Sequence, residues 1–159
     1  MVVRSSTHDD YNGSVDNLII NKKTGEVLCA IDDVHTNDSD IADRDPFRGK
    51  AEKIKKIAQN GGVKVKYGLT VETGKLQRMP LKNVPLFYLG LTTTEYKDLA
   101  NNITENLSAE VSDTERQIFL KLIGSLEEQK TALQNLHLQT GIKNNLEKME
   151  QTLQSLRRL

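Results

Sequence analysis

The chain has no tryptophan, three phenylalanines, four tyrosines and one cysteine, Cys29. With so few rings, aliphatic side chains must supply most of the buried area, and a lean core is expected. A single cysteine excludes an intrachain disulfide framework and fits a reducing compartment or no redox design at all, and a cytoplasmic location is expected. Set in the apolar run VLCAI, Cys29 reads as a buried thiol rather than a nucleophile. No window reaches the roughly 18 apolar residues of a membrane-spanning helix, and MVVRSSTHDDYN lacks the apolar core of a secretion signal. The three histidines, His8, His35 and His137, show no HxxxH or HExxH spacing, which argues against a zinc site built on a helix. The run NDSDIADRD lacks the central glycine and terminal glutamate of an EF-hand loop.

Net charge is also lacking, because 22 basic residues balance 22 acidic ones. The balance hides a segregation. From Asp9 to Asp45 there are ten acidic and three basic residues, whereas from Arg48 to Lys82 there are ten basic and two acidic. Such asymmetry arises either from attraction between two parts of one fold or from an acidic cation site beside a basic phosphate-binding surface. At 159 residues one main core is expected.

What the chain does contain is ordered along its length. His8 to Asp16 reads as a polar, carboxylate-rich loop. It is followed by two apolar runs, DNLIIN (Asp16 to Asn21) and VLCAI (Val27 to Ile31), joined by a turn in which Gly25 can take positive φ, so a β-hairpin is predicted. VHTNDSDIADRD, after Asp33, reads as a long loop. Asp45 and Pro46 mark a helix start that runs to Gly61 and Gly62, with Phe47, Ala51, Ile54 and Ala58 on one side. Val63, Val65, Tyr67, Leu69 and Val71 alternate as in a half-buried strand. Leu76 to Leu81 and Val84 to Leu89 read as two more short strands. Thr92 with Glu95, and Ser112 with Glu115, form capping boxes for two helices.

The second of these helices carries Phe119, Leu122, Leu126, Gln129, Leu133 and Leu136 at alternating intervals of three and four. Ile142, Leu146, Met149, Leu153 and Leu156 repeat that rhythm beyond Gly141, so an antiparallel helical hairpin with a narrow coiled-coil seam is predicted. The seam either packs on the rest of the chain or is shared with a protein partner or a second copy.

The segment HDDYNGSVDNLIINKKTGEVLCAIDD, from His8 to Asp33, resembles the catalytic loop and metal-binding hairpin of protein, lipid and aminoglycoside kinases. There a loop Asp precedes an Asn on the next strand, and a hairpin delivers a second Asp. The resemblance implies that Asn17 and Asp32, with Asp33 as a further carboxylate, hold Mg2+ on ATP, because magnesium bridging phosphates requires hard oxygen ligands. It implies a base role for Asp10, with Asp9 as a substitute, and a loop-opening role for His8. Lys22 and Lys23 in the turn are the candidate contacts to nucleotide phosphates. The segment would be part of a C-terminal lobe, incomplete on its own.

Arg48, Lys50, Lys53, Lys55 and Lys56, with Lys64 and Lys66 on the following strand, form either a solvated face or a phosphate-binding one. The near absence of interleaved aromatics that would stack bases argues against single-strand binding, and a nucleic-acid partner is not expected. The expectation is an α+β chain with a β-hairpin-rich N-terminal half, residues 1–110, and a helical hairpin over 111–159. Its expected function is kinase-like phosphotransfer, or alternatively non-enzymatic interaction through the helical hairpin.

Overall fold

The computed structural model describes residues 1–36, 48–72, 75–105 and 111–157, and the chain is α+β as the sequence predicts. Its centre is a four-stranded sheet in the order β1-β2-β3-β6. Strands β1 (Val2–Arg4), β2 (Asn17–Ile20) and β3 (Val27–Thr36) form an antiparallel meander, and β6 (Leu86–Thr92) lies parallel to β3. Parallel neighbours require a crossover. Here it contains the helix α2 (Arg48–Gln59) and a separate two-stranded ribbon of β4 (Val63–Glu72) and β5 (Lys75–Val84).

The β2–β3 hairpin forms where the two apolar runs place it, with Gly25 at φ 74° in the turn. The predicted loop after Asp33 differs in its first residues. Val34, His35 and Thr36 continue β3, because Gly90, Leu91 and Thr92 of β6 pair with them. Local polarity is outweighed by a partner strand that lies far away in sequence. The proposed helix start at Asp45 and Pro46 lies outside the described residues. The end of α2 matches expectation, with Gly61 at φ 92° and Gly62 at φ 78°. At Gly62 a Cβ would meet the Val84 carbonyl oxygen at 2.5 Å, so this turn also needs the bare backbone.

The predicted loop before the hairpin contains a short helix, α1 (Thr7–Gly13). Ser6 caps it: its hydroxyl accepts the Asp9 N–H at 3.1 Å and donates to the Asp9 carboxylate at 2.7 Å. Two carboxylates in the first turn suit the positive end of the helix. The chain then leaves through Ser14 at φ 51° and enters β2.

Three helices complete the fold: α3 (Thr93–Glu105), α4 (Asp113–Gln134) and α5 (Thr140–Leu156). Both predicted capping boxes form, Thr92 with Glu95 and Ser112 with Glu115. The ion pairs Glu127–Arg157 and Lys130–Glu150 set α4 and α5 antiparallel. Their seam residues Leu126, Leu133, Ile142, Leu146, Met149 and Leu153 are buried in one core with Leu18, Ile20, Cys29, Ile31 and Phe87. The seam is therefore filled from within the chain. Two expected seam positions differ: Phe119 is exposed, and Gln129 spends its amide on the Tyr88 backbone, accepting from its N–H at 2.9 Å and donating to its C=O at 2.7 Å. Among the described residues no helix is long and apolar enough to cross a membrane.

Candidate functional site

The carboxylates gather where β2 begins and the middle of β3 passes it. Asn17 pairs with Ile31 in the antiparallel register, so the residue before it, Asp16, stands opposite Asp32. On the other side of β3, Asp32 pairs with Tyr88 of β6. Like charges directly opposite on neighbouring strands oppose folding. Burial pushes the Asp32 carboxyl above its ordinary value, and Asp16 pushes it further, while Lys50 and Lys53 of α2 act against the shift. Both lysines lie over the Tyr88 ring, with Nζ at 4.4 Å and 5.7 Å from its centroid. The Tyr88 hydroxyl is buried beside Lys53 and Asp32, close enough for both to act on its titration but without a hydrogen bond of good geometry to either.

Alternation along the strand sends Asp33 to the face opposite Asp32. There its carboxylate accepts from the Asn17 amide at 2.7 Å, and its backbone N–H donates to Asp16 Oδ2 at 2.6 Å. Burial and the neighbouring Asp16 raise the Asp33 carboxyl, against Asn17 and Arg4, which lower it. The three expected metal ligands are thus divided between two faces: Asn17 meets Asp33, and Asp32 meets Asp16. The kinase-like reading missed Asp16. Counting back one residue from the hairpin pair Asn17–Ile31 would have found it.

The other expected residues lie elsewhere. His8 and Asp10 sit on α1, where Asp10 pairs with Arg4 at 3.7 Å and His8 packs edge-on against Tyr67 with ring centroids 5.7 Å apart. Asp9, the possible substitute base, is a buried tether between α1 and the ribbon. Its carboxylate accepts the backbone N–H groups of Lys66 at 2.7 Å and Tyr67 at 3.1 Å. Burial alone would raise its pKa, but these bonds and the Ser6 hydroxyl outweigh that and hold it below the ordinary value. Lys22 and Lys23 occupy the β2–β3 turn, at the far end of the hairpin from Asn17. The four residues of β2 separate them from the carboxylates by about 13 Å.

A divalent ion fits the Asp16–Asp32 pair on chemical grounds. Two hard oxygen donors face each other, their mutual repulsion is only partly offset, and a buried hydroxyl beside them lacks a partner. Among the described residues no three His, Cys, Asp or Glu side chains form a ready cation cage. Magnesium does not need one, because it commonly uses one or two carboxylates and completes its shell with water and substrate phosphate. Cys29 plays no part: it is fully buried in the core, which pushes its thiol pKa far up. No protein-family model, curated protein or solved structure matches the chain.

Proposed function

We propose that the Asp16–Asp32 end of the sheet is a divalent-cation-dependent phosphoryl-transfer site that hydrolyses phosphodiester bonds of nucleic acid. One observation carries the reading: two opposed carboxylates share the α2 side of the sheet with two lysine ammonium groups and an unpartnered tyrosine hydroxyl. That combination suits a phosphate bridging a cation and ammonium groups. Asp16 and Asp32 would hold the ion, while Lys50 and Lys53 neutralise the non-bridging oxygens. A bound divalent ion lowers the pKa of attacking water and offsets charge on the phosphate. The water oxygen would bond to phosphorus as the bond to the sugar oxygen breaks; the water would give up a proton to solvent and the departing sugar oxygen would take one from solvent, leaving as a hydroxyl.

The kinase-like expectation shares this requirement for a metal and phosphate. The hydrolytic form is preferred because the cations beside the carboxylates come from α2, whereas Lys22 and Lys23 lie at the far turn. The base of the kinase-like layout, Asp10, is engaged with Arg4. Incubating the chain with labelled DNA or RNA and Mg2+ or Mn2+ tests the proposal. Cleavage is expected, with Asp32→Asn and Lys50→Ala each lowering the rate by about 100-fold or more, the scale of removing one electrostatic contact to a transition state. Cleavage unaffected by Asp32→Asn, or no cleavage with either ion, would overturn it. Saturable MgATP binding lost in Asp32→Asn would favour the kinase-like form instead.

A second reading, an interaction module, draws on the outer face of α4. Phe119, Leu120 and Val111 are exposed beside a cleft of about 550 Å³ that Leu99, Leu122 and Leu156 also line. With the hairpin seam filled internally, a protein partner would meet this face. Replacing Phe119 and Leu120 by Glu would abolish partner binding if that reading is right and leave nucleic-acid cleavage intact.

A further inference from the structure

We infer that the cleft between α1 and the β4–β5 ribbon is a track for the sugar-phosphate backbone of a nucleic-acid duplex, an inference that takes its choice of polymer from the phosphodiester reading. Two adjoining cavities of about 330 and 430 Å³ share His8. Lys64, Lys66 and Lys82 line the first, and Arg4 and Arg78 line the second.

These cations are held together against their own repulsion. Lys64 and Lys82 stand next to the cross-strand pair Val65–Leu81, beside the irregular register between Val63 and Val65, and both line the first cavity. Lys66 Nζ and the Arg78 guanidinium lie over one ring, that of Tyr67, at 5.3 Å and 5.9 Å from its centroid. Among the described residues no carboxylate pairs with Lys64, Lys66, Arg78 or Lys82. The one acid lining either cavity is Asp9, and its oxygens are committed inward to Ser6, Lys66 and Tyr67. Cations gathered along one cleft repel one another and raise its positive potential. A polyanion offsets both.

The shape and position of the cleft agree with that ligand. A two-stranded ribbon is one of the two elements that a duplex major groove admits. Alternate residues such as Lys64 and Lys66 are spaced about 6.6 Å apart along a strand. The second cavity ends at Arg4, which pairs with Asn17 across β1 and β2 and acts on Asp33, so the track reaches the Asn17–Asp33 face of the same sheet whose other face carries the Asp16–Asp32 pair. Scarce aromatics leave little to stack single-stranded bases, which favours a duplex, and Tyr67 serves here as a platform for Lys66 and Arg78.

The test is fluorescence anisotropy of the full chain with a labelled duplex in EDTA, which stops any hydrolysis, repeated across salt concentrations. Lys64→Ala/Lys82→Ala is expected to weaken binding and to lower the slope of log affinity against log salt by about 1.8, or about 0.9 for each phosphate no longer neutralised. Lys22→Ala/Lys23→Ala, at the remote turn, should leave the slope unchanged. A slope unaltered in the Lys64/Lys82 variant, no duplex binding at low salt, or preference for a single strand would overturn the inference. Asp32→Asn should keep duplex binding while losing cleavage, so failure of the track and failure of the hydrolytic site are distinguished.

Discussion

Replacing Asp9 by Ala should destabilise the chain without touching the proposed chemistry. The side chain is 3% exposed and joins two elements: it closes the cap of α1 with Ser6 and accepts two backbone N–H groups of β4. Alanine would leave the Lys66 and Tyr67 N–H groups without acceptors in a partly buried setting. At about 1–3 kcal/mol for each stranded polar group, tempered by water entering the gap, the loss is roughly 2–4 kcal/mol. For a chain of this size that lowers the melting temperature by about 5 °C or more. Asp9→Asn keeps one acceptor oxygen and should lose about half as much by the same reasoning.

The acid limb supplies a second readout. The folded pKa of Asp9 is depressed below 3.8, so its contribution is fully present above that value and is lost as pH falls through the folded pKa. The melting temperature of Asp9→Asn should therefore fall less steeply with acid than that of the parent. Circular dichroism melts of parent and variants across acidic pH measure both effects. A melting temperature for Asp9→Ala within about 1 °C of the parent would refute the tether, since even one stranded group should shift it further.

Other outcomes follow from the core. Leu146→Ala, at a position 3% exposed inside the hairpin seam, should cost about 2–5 kcal/mol in urea unfolding. A seam open to a partner would give much less. Gln129→Ala should cost about 1–3 kcal/mol, because both the N–H and the C=O of Tyr88 lose their side-chain partner. Cys29 is fully buried with its thiol pKa raised, so a thiol reagent should modify it only as the chain unfolds, with labelling traced by mass.

Much of the fold was legible because it rests on local signals. The alternation of Val63 to Val71, the two capping boxes, Gly25 in its turn and the three-four rhythm of α4 and α5 each act over a few residues. What escaped depends on distant partners. Val34 to Thr36 read as loop until β6 pairs with them, and α1 hides in a polar stretch because its stability comes from Ser6 and from Asp9 reaching β4, 57 residues away. The candidate site was half legible for the same reason. Asp32 stood out at the end of an apolar run, but its neighbours Asp16, Tyr88 and Lys50 join it only through strand register and the crossover. Asn17 and Asp32 lie on opposite faces because strand alternation sends adjacent side chains to opposite sides, which the linear spacing does not show. The convergence of Lys64, Lys82, Arg78 and Tyr67 needed the ribbon's register and the packing of α1 before it could be seen.

If Asp16 and Asp32 together hold a divalent ion, calorimetric titration of the purified chain with Mn2+, run beside Asp16→Asn and Asp32→Asn, will detect it. A single saturable site is expected in the parent and loss of that heat in both variants, with Asp32→Asn melting at or above the parent's temperature because a repulsive carboxylate has been removed. No saturable heat in the parent, or equal heat in the variants, would contradict it.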